Sequence, residues 1–254
     1  MMEELVLLHR DDRIAVFNKP SGLLIHRSYI DRTETRFALQ LARDLLGQRV
    51  YPVHRLDKPT SGVLLFALSP EDAAVVTASF TAGTVRKRYL AVCRGITPES
   101  VVIDYPLVEE QDRHDPYRQE GKAPQAAVTT LRRLASVELS FAVGRYPTSR
   151  YSLVEAEPQT GRRHQIRRHF KHIFHPLIGD VNYGEGRHNR FFREEFSCCR
   201  LLLHAAELTI PHPADGKPMH FTAPLDDSFR SLLEQLNWNE FTAKVNSCKL
   251  PLNS

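Results

Sequence analysis

Two spacings of apolar residues alternate along this chain. Ile14-Ala15-Val16-Phe17 is an unbroken apolar run of strand length, stopped by Asn18-Lys19-Pro20-Ser21-Gly22, a cluster of turn-forming residues. From Phe37 to Leu46 the spacing becomes helical, with Phe37, Leu41 and Leu45 on one face and Gly47 as the stop. Val63 to Leu68 is a second strand-length run. Directly after it, Ser69-Pro70-Glu71-Asp72 carries the chemistry of a helix start: a serine cap, a proline in the first turn and an acid three residues after the cap. That helix is expected to reach about Phe80. Further strands are predicted at Tyr89 to Cys93, Val101 to Asp104, Ala127 to Leu134, Tyr151 to Ala156, Leu201 to His204, Leu208 to Ile210 and Met219 to Thr222. Between Gly161 and Phe174 the helical period returns, with Ile166, Phe170, Ile173, Phe174 and Leu177 forming one stripe expected to be buried. Asp227 to Leu236 reads as a closing helix, and Pro106 to Gln125 as a long polar loop.

Strands outnumber helices, and many lie close enough in sequence to pair antiparallel. No repeat, Gly/Ser linker or low-complexity tract divides the 254 residues. The expected fold is α+β: one domain over residues 1–254, core about 10–240, with a mixed, mainly antiparallel sheet flanked by helices. A hydrophobic fraction of 42% and a charged fraction of 25% exclude a disordered or fibrous chain. No apolar run approaches the roughly 18 residues of a membrane span. The first residues, Met-Met-Glu-Glu, place acids where a signal peptide has its basic start, so a cytoplasmic protein is expected. Cys93, Cys198, Cys199 and Cys248 form no Cys-x-x-Cys pair and are read as thiols.

The net charge of +4 is mild, but the cations cluster. Arg86-Lys87-Arg88 precedes Tyr89 at the mouth of a strand, an arrangement suited to phosphates plus one stacked base. On the helix predicted from Gly161, Arg163, Arg167 and Lys171 would share one line, and like charges so spaced repel unless an anion sits among them. Phosphates of an external ligand could provide that anion, and so could an internal carboxylate, Asp57, for one of the arginines. Asp57 lies in a turn, His54-Arg55-Leu56-Asp57-Lys58-Pro59-Thr60-Ser61-Gly62, between two apolar stretches, where a rigid scaffold would present a reactive group. His164, His169, His172 and His175 also crowd together. Their spacing is wrong for zinc and residues 161–177 contain no carboxylate, so no metal site is expected.

His54 to Asp57, Lys87-Arg88-Tyr89 and Gly161-Arg162-Arg163-His164-Gln165-Ile166-Arg167 occur in that order, followed by Leu202-Leu203-His204-Ala205. In sequence and order they resemble the motifs of pseudouridine synthases of the RluA type, and the likeness runs from about Ile14 to Pro224. The resemblance implies isomerisation of uridine within RNA, with no cofactor. It implies Asp57 as the catalytic aspartate, Arg167 as its ion-pair partner, and Tyr89 as a ring that stacks on uracil and assists loss of the C5 proton. A uridine in a stem must be flipped out to be reached. Arg55 is then expected in the vacated space and Leu203 as an apolar wall, with His54, Arg86, Lys87, Arg88, Arg163 and His164 completing the RNA contacts. Asn18-Lys19-Pro20 falls too near the start to leave room for the small RNA-binding S4-like domain that many relatives carry in front.

His26 to Arg32 and Gly144 to Thr148 resemble members of this family that modify tRNA at uridine 65, at the foot of the T-stem. The expected partner is therefore RNA, namely tRNA, with no obligate protein partner and a monomeric enzyme. Large-subunit ribosomal RNA is the alternative substrate. A non-catalytic RNA-binding module would leave Asp57 without purpose, since a carboxylate beside phosphates opposes binding. A nucleoside-cleaving hydrolase would not need the basic segment 161–171.

Overall fold

The computed structural model describes residues 4–26, 35–109 and 123–241. Arg27 to Arg32, most of the Pro106 to Gln125 loop and Cys248 lie outside the described residues. The strands form one sheet: β1 (Val6–Arg10), β2 (Ile14–Lys19), β3 (Tyr51–Pro52), β4 (Ser61–Ala67), β5 (Arg86–Arg94), β6 (Ser100–Asp104), β7 (Val128–Leu139), β8 (Ser149–Pro158), β9 (Leu203–Pro211) and β10 (Pro218–Thr222). Their order is β1-β2-β4-β9-β5-β8-β7-β6, with β3 on β4 and β10 on β9. All pairings are antiparallel except β4 with β9, which run parallel through Ser61 opposite His204 and Gly62 opposite Ala205.

The apolar runs are unbroken because the central strands are covered on both faces. In β4, Leu64 and Phe66 pack toward α1 (Ala38–Leu46), while Val63, Leu65 and Ala67 pack toward α2 (Pro70–Thr81). In β5 and β8, Leu90, Val92, Tyr151 and Leu153 face a core completed by α4 (Gly186–Phe196) and α5 (Asp227–Gln235). Ala91, Cys93, Val154 and Ala156 face α3 (Gln165–His172). The caps follow the sequence: Ser69 Oγ accepts from Asp72 N at 3.0 Å, and Gly47 ends α1 in the left-handed region at φ 66°.

Three expectations need correction. The strands expected at 201–204 and 208–210 are one strand, β9, which begins only at Leu203 and is continuous because it borders β5 along most of its length. The helix expected from Gly161 begins only at Gln165, so Arg163 is not on it and the line Arg163, Arg167, Lys171 does not exist. The cause is Gln165, whose Oε1 accepts from Arg162 N (3.0 Å) and Thr160 Oγ1 (2.7 Å). Its Nε2 donates to Val128 O (2.9 Å), pinning residues 160–164 as a loop against β7. Phe174, placed in the buried stripe, is 86% exposed.

The parallel β4–β9 step requires the backbones to approach closely. Gly62 permits it: with φ 113°, it lies where a Cβ would stand 2.2 Å from Ala205 O. The turn bearing Asp57 leads straight into this step, so its position follows from the join between the two halves of the sheet.

Candidate active site

The loop between β3 and β4 is held from behind by the turn that follows β2. Leu56 is buried in the core beneath α1. Gly22 N donates to Lys58 O at 2.8 Å, and Ser21 Oγ to Pro59 O at 2.8 Å. Lys19, fully buried, spends its ammonium donors on Pro20 O (2.9 Å), Leu23 O (2.8 Å) and Lys58 O (3.1 Å). Burial lowers its pKa to about 7; Arg200 adds to the drop while Asp57 opposes it. At the other end, His54 Nε2 accepts from Leu65 N at 2.9 Å and the ring stacks on Phe80 at 5.0 Å. Burial, with the charge of Lys87, takes the His54 pKa down to about 4, so the ring is a neutral acceptor that fixes the loop.

These anchors aim Asp57 at α3. Arg167 Nη1 donates to Asp57 Oδ2 at 3.2 Å, and the same guanidinium grips Asp180 through two bonds, Nε at 2.7 Å and Nη2 at 2.8 Å. The side chains of Arg167 and Asp180 are 4% and 0% exposed. Burial opposes both charges. Their mutual pairing nevertheless wins, raising the Arg167 pKa and holding the Asp180 carboxyl below its ordinary value. Asp180 Oδ1 also accepts from Asn182 N (2.9 Å) and Tyr183 N (3.0 Å), folding a turn that lays the Tyr183 ring 5.1 Å from the guanidinium. The Tyr183 hydroxyl and His164 Nδ1 share a hydrogen bond of 2.9 Å, and His164 Nε2 stands 3.8 Å from Asp57 Oδ1.

Alternation along β5 adds Lys87 and Tyr89 from below. Lys87 Nζ donates to Thr160 O at 3.2 Å, and burial lowers its pKa. Burial, then the charge of Asp57, pushes the Tyr89 phenol up, so it remains protonated at neutral pH. Asp57, Arg55, Lys87, Tyr89, Arg163 and Leu203 line one cleft of about 1010 Å³, with His54, His164 and Arg167 on the same walls. Arg86 and Arg88, expected with Lys87 among the RNA contacts, are not among its lining residues. They lie on the opposite face of β5, where Arg88 is held by Glu155 (3.4 Å), Glu157 (3.5 Å) and Glu207 (3.2 Å).

A carboxylate fixed by a buried arginine, in an open cleft that also presents Lys87, Arg163 and the Tyr89 ring, can attack or deprotonate a sugar while phosphates are held around it. The family model described as RNA pseudouridylate synthase matches residues 13–172, which contain Asp57, Tyr89 and Arg167. This chain belongs to that family. The synthase is 47% identical over 237 residues to the tRNA pseudouridine synthase C of Vibrio cholerae, covering 93% of this chain and 97% of the relative. It is 48% identical over 235 residues to the Salmonella typhi protein of that name, covering 92% and 90%. Among solved structures, Human RNA Pseudouridylate Synthase Domain Containing 4 matches with a TM-score of 0.68 at 27% identity, covering 91% of this chain and 93% of that one. Domain Containing 1 gives 0.67 at 28%, covering 89% and 86%. The synthase is thus an isomerase built on the α+β sheet expected.

Lys19, Asp180 and Tyr183 were not singled out by motif reading. The crowded histidines turn out to be separately engaged: His169 with Thr129 Oγ1 (3.0 Å) and Tyr105 O (3.0 Å), His172 stacked on Tyr105, and His175 with Arg94 O (2.8 Å). Among the described residues no helix is long and apolar enough to cross a membrane.

Acid should destabilise the synthase before it protonates its carboxylates. His204 is fully buried, sharing a 2.7 Å hydrogen bond with Ser61 Oγ, and burial takes its pKa to about 3. The unfolded chain binds that proton near the ordinary histidine value, so stability rises with pH between the two values and falls as acid is added. His204 alone is expected to remove about 2 kcal/mol between pH 7 and pH 5, with His54 acting in the same direction. Urea melts across that range check this; a flat profile contradicts it.

Proposed function

We propose that the synthase converts uridine to pseudouridine in tRNA, at uridine 65 in the T-stem, with Asp57 as the catalytic residue. The observation that carries the reading is the Asp57–Arg167 pair, 3.2 Å apart, inside a cleft walled by Lys87, Arg163 and Tyr89. The tRNA assignment is supported by the relatives named tRNA pseudouridine synthase C, which align with nearly the whole chain.

The N1–C1′ bond breaks, the base turns over, and C5 bonds to C1′. The C5 proton leaves and N1 gains one, so nothing is oxidised or reduced. Arg167 Nη1 donates to Asp57 Oδ2 at 3.2 Å and so holds the carboxyl group in one orientation in the cleft. Asp180, by neutralising part of Arg167, keeps that arginine from binding a phosphate in place of Asp57. Tyr89 supplies the stacking face and a protonated hydroxyl; as a phenol it cannot take the C5 proton before losing its own. The uridine reaches this floor only when flipped, and Arg55, exposed at the cleft mouth, fills its place in the stem. A cytoplasmic location follows from a tRNA substrate.

The test is tritium release from bulk tRNA carrying C5-tritiated uridine, followed by mapping of the modified position. Release from tRNA with modification at position 65 is expected. Release from ribosomal RNA alone would transfer the assignment to that substrate.

A further inference from the structure

Phe174 is a side chain that neither the fold nor the proposed chemistry uses. It directly follows Ile173, the C-cap of α3. His175 N donates to Phe170 O at 2.9 Å and Phe174 N to Lys171 O at 3.1 Å, the two hydrogen bonds of a Schellman motif. The residue between them must take a left-handed backbone, which glycine or asparagine adopts with least strain. Phe174 does so at φ 62°, with its ring 86% exposed. A strained backbone and an apolar ring in water both oppose folding, and such outliers collect at functional positions.

Lys171, one turn back, is exposed and holds its ammonium 5.8 Å from the Tyr183 ring, whose hydroxyl bonds to His164 at the cleft. His172 is exposed beside it, and Val181, on the Tyr183 turn, is 88% exposed. Residues 161–177 contain no carboxylate, and Asp180 is buried against Arg167. A surface free of carboxylates over residues 161–177, with the Lys171 ammonium and the bare Phe174 ring on it, therefore lies at the far end of the helix that carries Arg167. Seven residues separate Arg167 from Phe174, about 10 Å at 1.5 Å per residue, or roughly three base steps.

We propose that Phe174 and Lys171 form a contact for the RNA strand flanking the target uridine, with Phe174 stacking on a nucleotide and Lys171 meeting a phosphate. This rests on the RNA substrate proposed above. Aromatic rings among cations are the general means of holding nucleotides without reading sequence.

Wild type, Phe174→Gly and Phe174→Trp should be titrated with unmodified tRNA transcript at one fixed salt concentration, alongside thermal melts. Glycine relieves the backbone strain, so its melting temperature is expected to equal or exceed wild type while tRNA affinity falls on the order of tenfold. Tryptophan, which keeps the stacking face, is expected to bind within about twofold of wild type. In steady state the glycine variant should raise KM and leave kcat in place. Equal affinity of all three proteins overturns the proposal, as does equal loss in both variants, which would mean disrupted shape. If wild type makes no pseudouridine in tRNA, the substrate reading falls, and ribosomal RNA is titrated instead: the same ranking upholds the contact and equality overturns it. Self-association lost in Phe174→Gly with unchanged RNA affinity assigns the surface to a second copy and overturns it too.

Discussion

Asp57→Asn is expected to abolish tritium release, by at least about 10⁴-fold, while leaving the protein folded and bound to tRNA. Asparagine keeps the shape and can still accept from Arg167 Nη1, and Arg167 retains both bonds to Asp180, so no buried charge is stranded. The change should alter stability by no more than about 1 kcal/mol, because the hydrogen bond from Arg167 is kept and its charge stays paired with Asp180. Affinity for tRNA should hold or rise, since a negative charge has been removed from a surface that receives phosphates. This combination separates a catalytic carboxylate from a structural one: a structural aspartate would lose stability and activity together. Retention of more than about a hundredth of wild-type activity would move the chemistry to another residue.

The parts of the fold legible in the sequence were those decided by local chemistry. Ser69 and Gly47 end their helices as their residue types require, and β4 read as a strand because both its faces are buried. What failed was decided by partners distant in sequence. Arg86, Lys87 and Arg88 look like one cluster until strand alternation divides them, sending Arg88 to three glutamates that only the sheet brings near. The late start of α3 depends on Gln165 reaching β7, 37 positions away. The helix α4 was missed because its apolar residues, chiefly Phe191, Phe192 and Phe196, are interspersed among charges.

Asp180 did leave a trace. It is the first carboxylate after Glu157, following a segment of arginines, lysine and histidines with none. A buried arginine in that segment needs an internal counter-ion, and Asp180 was the nearest one downstream. The pairing of Arg167 with Asp57 was expected from the motifs, whereas the shared grip by Asp180 was not.

That shared grip makes Asp180→Asn the substitution with the largest expected effect on stability, a loss of about 3–5 kcal/mol. Asparagine can still accept from the Asn182 and Tyr183 amides, so the turn keeps its hydrogen bonds; what is lost is the charge opposite a guanidinium 4% exposed. For a domain of this size the loss corresponds to a melting temperature lower by roughly 6–20 °C. Because the Asp180 pKa is held below its ordinary value, its contribution is complete above that ordinary value and fades only as pH drops through the lowered one. The gap between wild type and variant should therefore be full at neutral pH and close in strong acid. Activity is affected through position: freed of one partner, Arg167 swings toward Asp57 or an RNA phosphate. A displacement of about 1 Å at the reacting carboxylate can cost about 10²-fold in kcat. KM for tRNA should change little, since Lys87 and Arg163 remain in the cleft wall. Paired melts and steady-state kinetics on Asp180→Asn decide the matter. A variant as stable and as active as wild type would mean that Asp57 alone suffices as the counter-ion of Arg167, and that the second carboxylate has no part in poising the first.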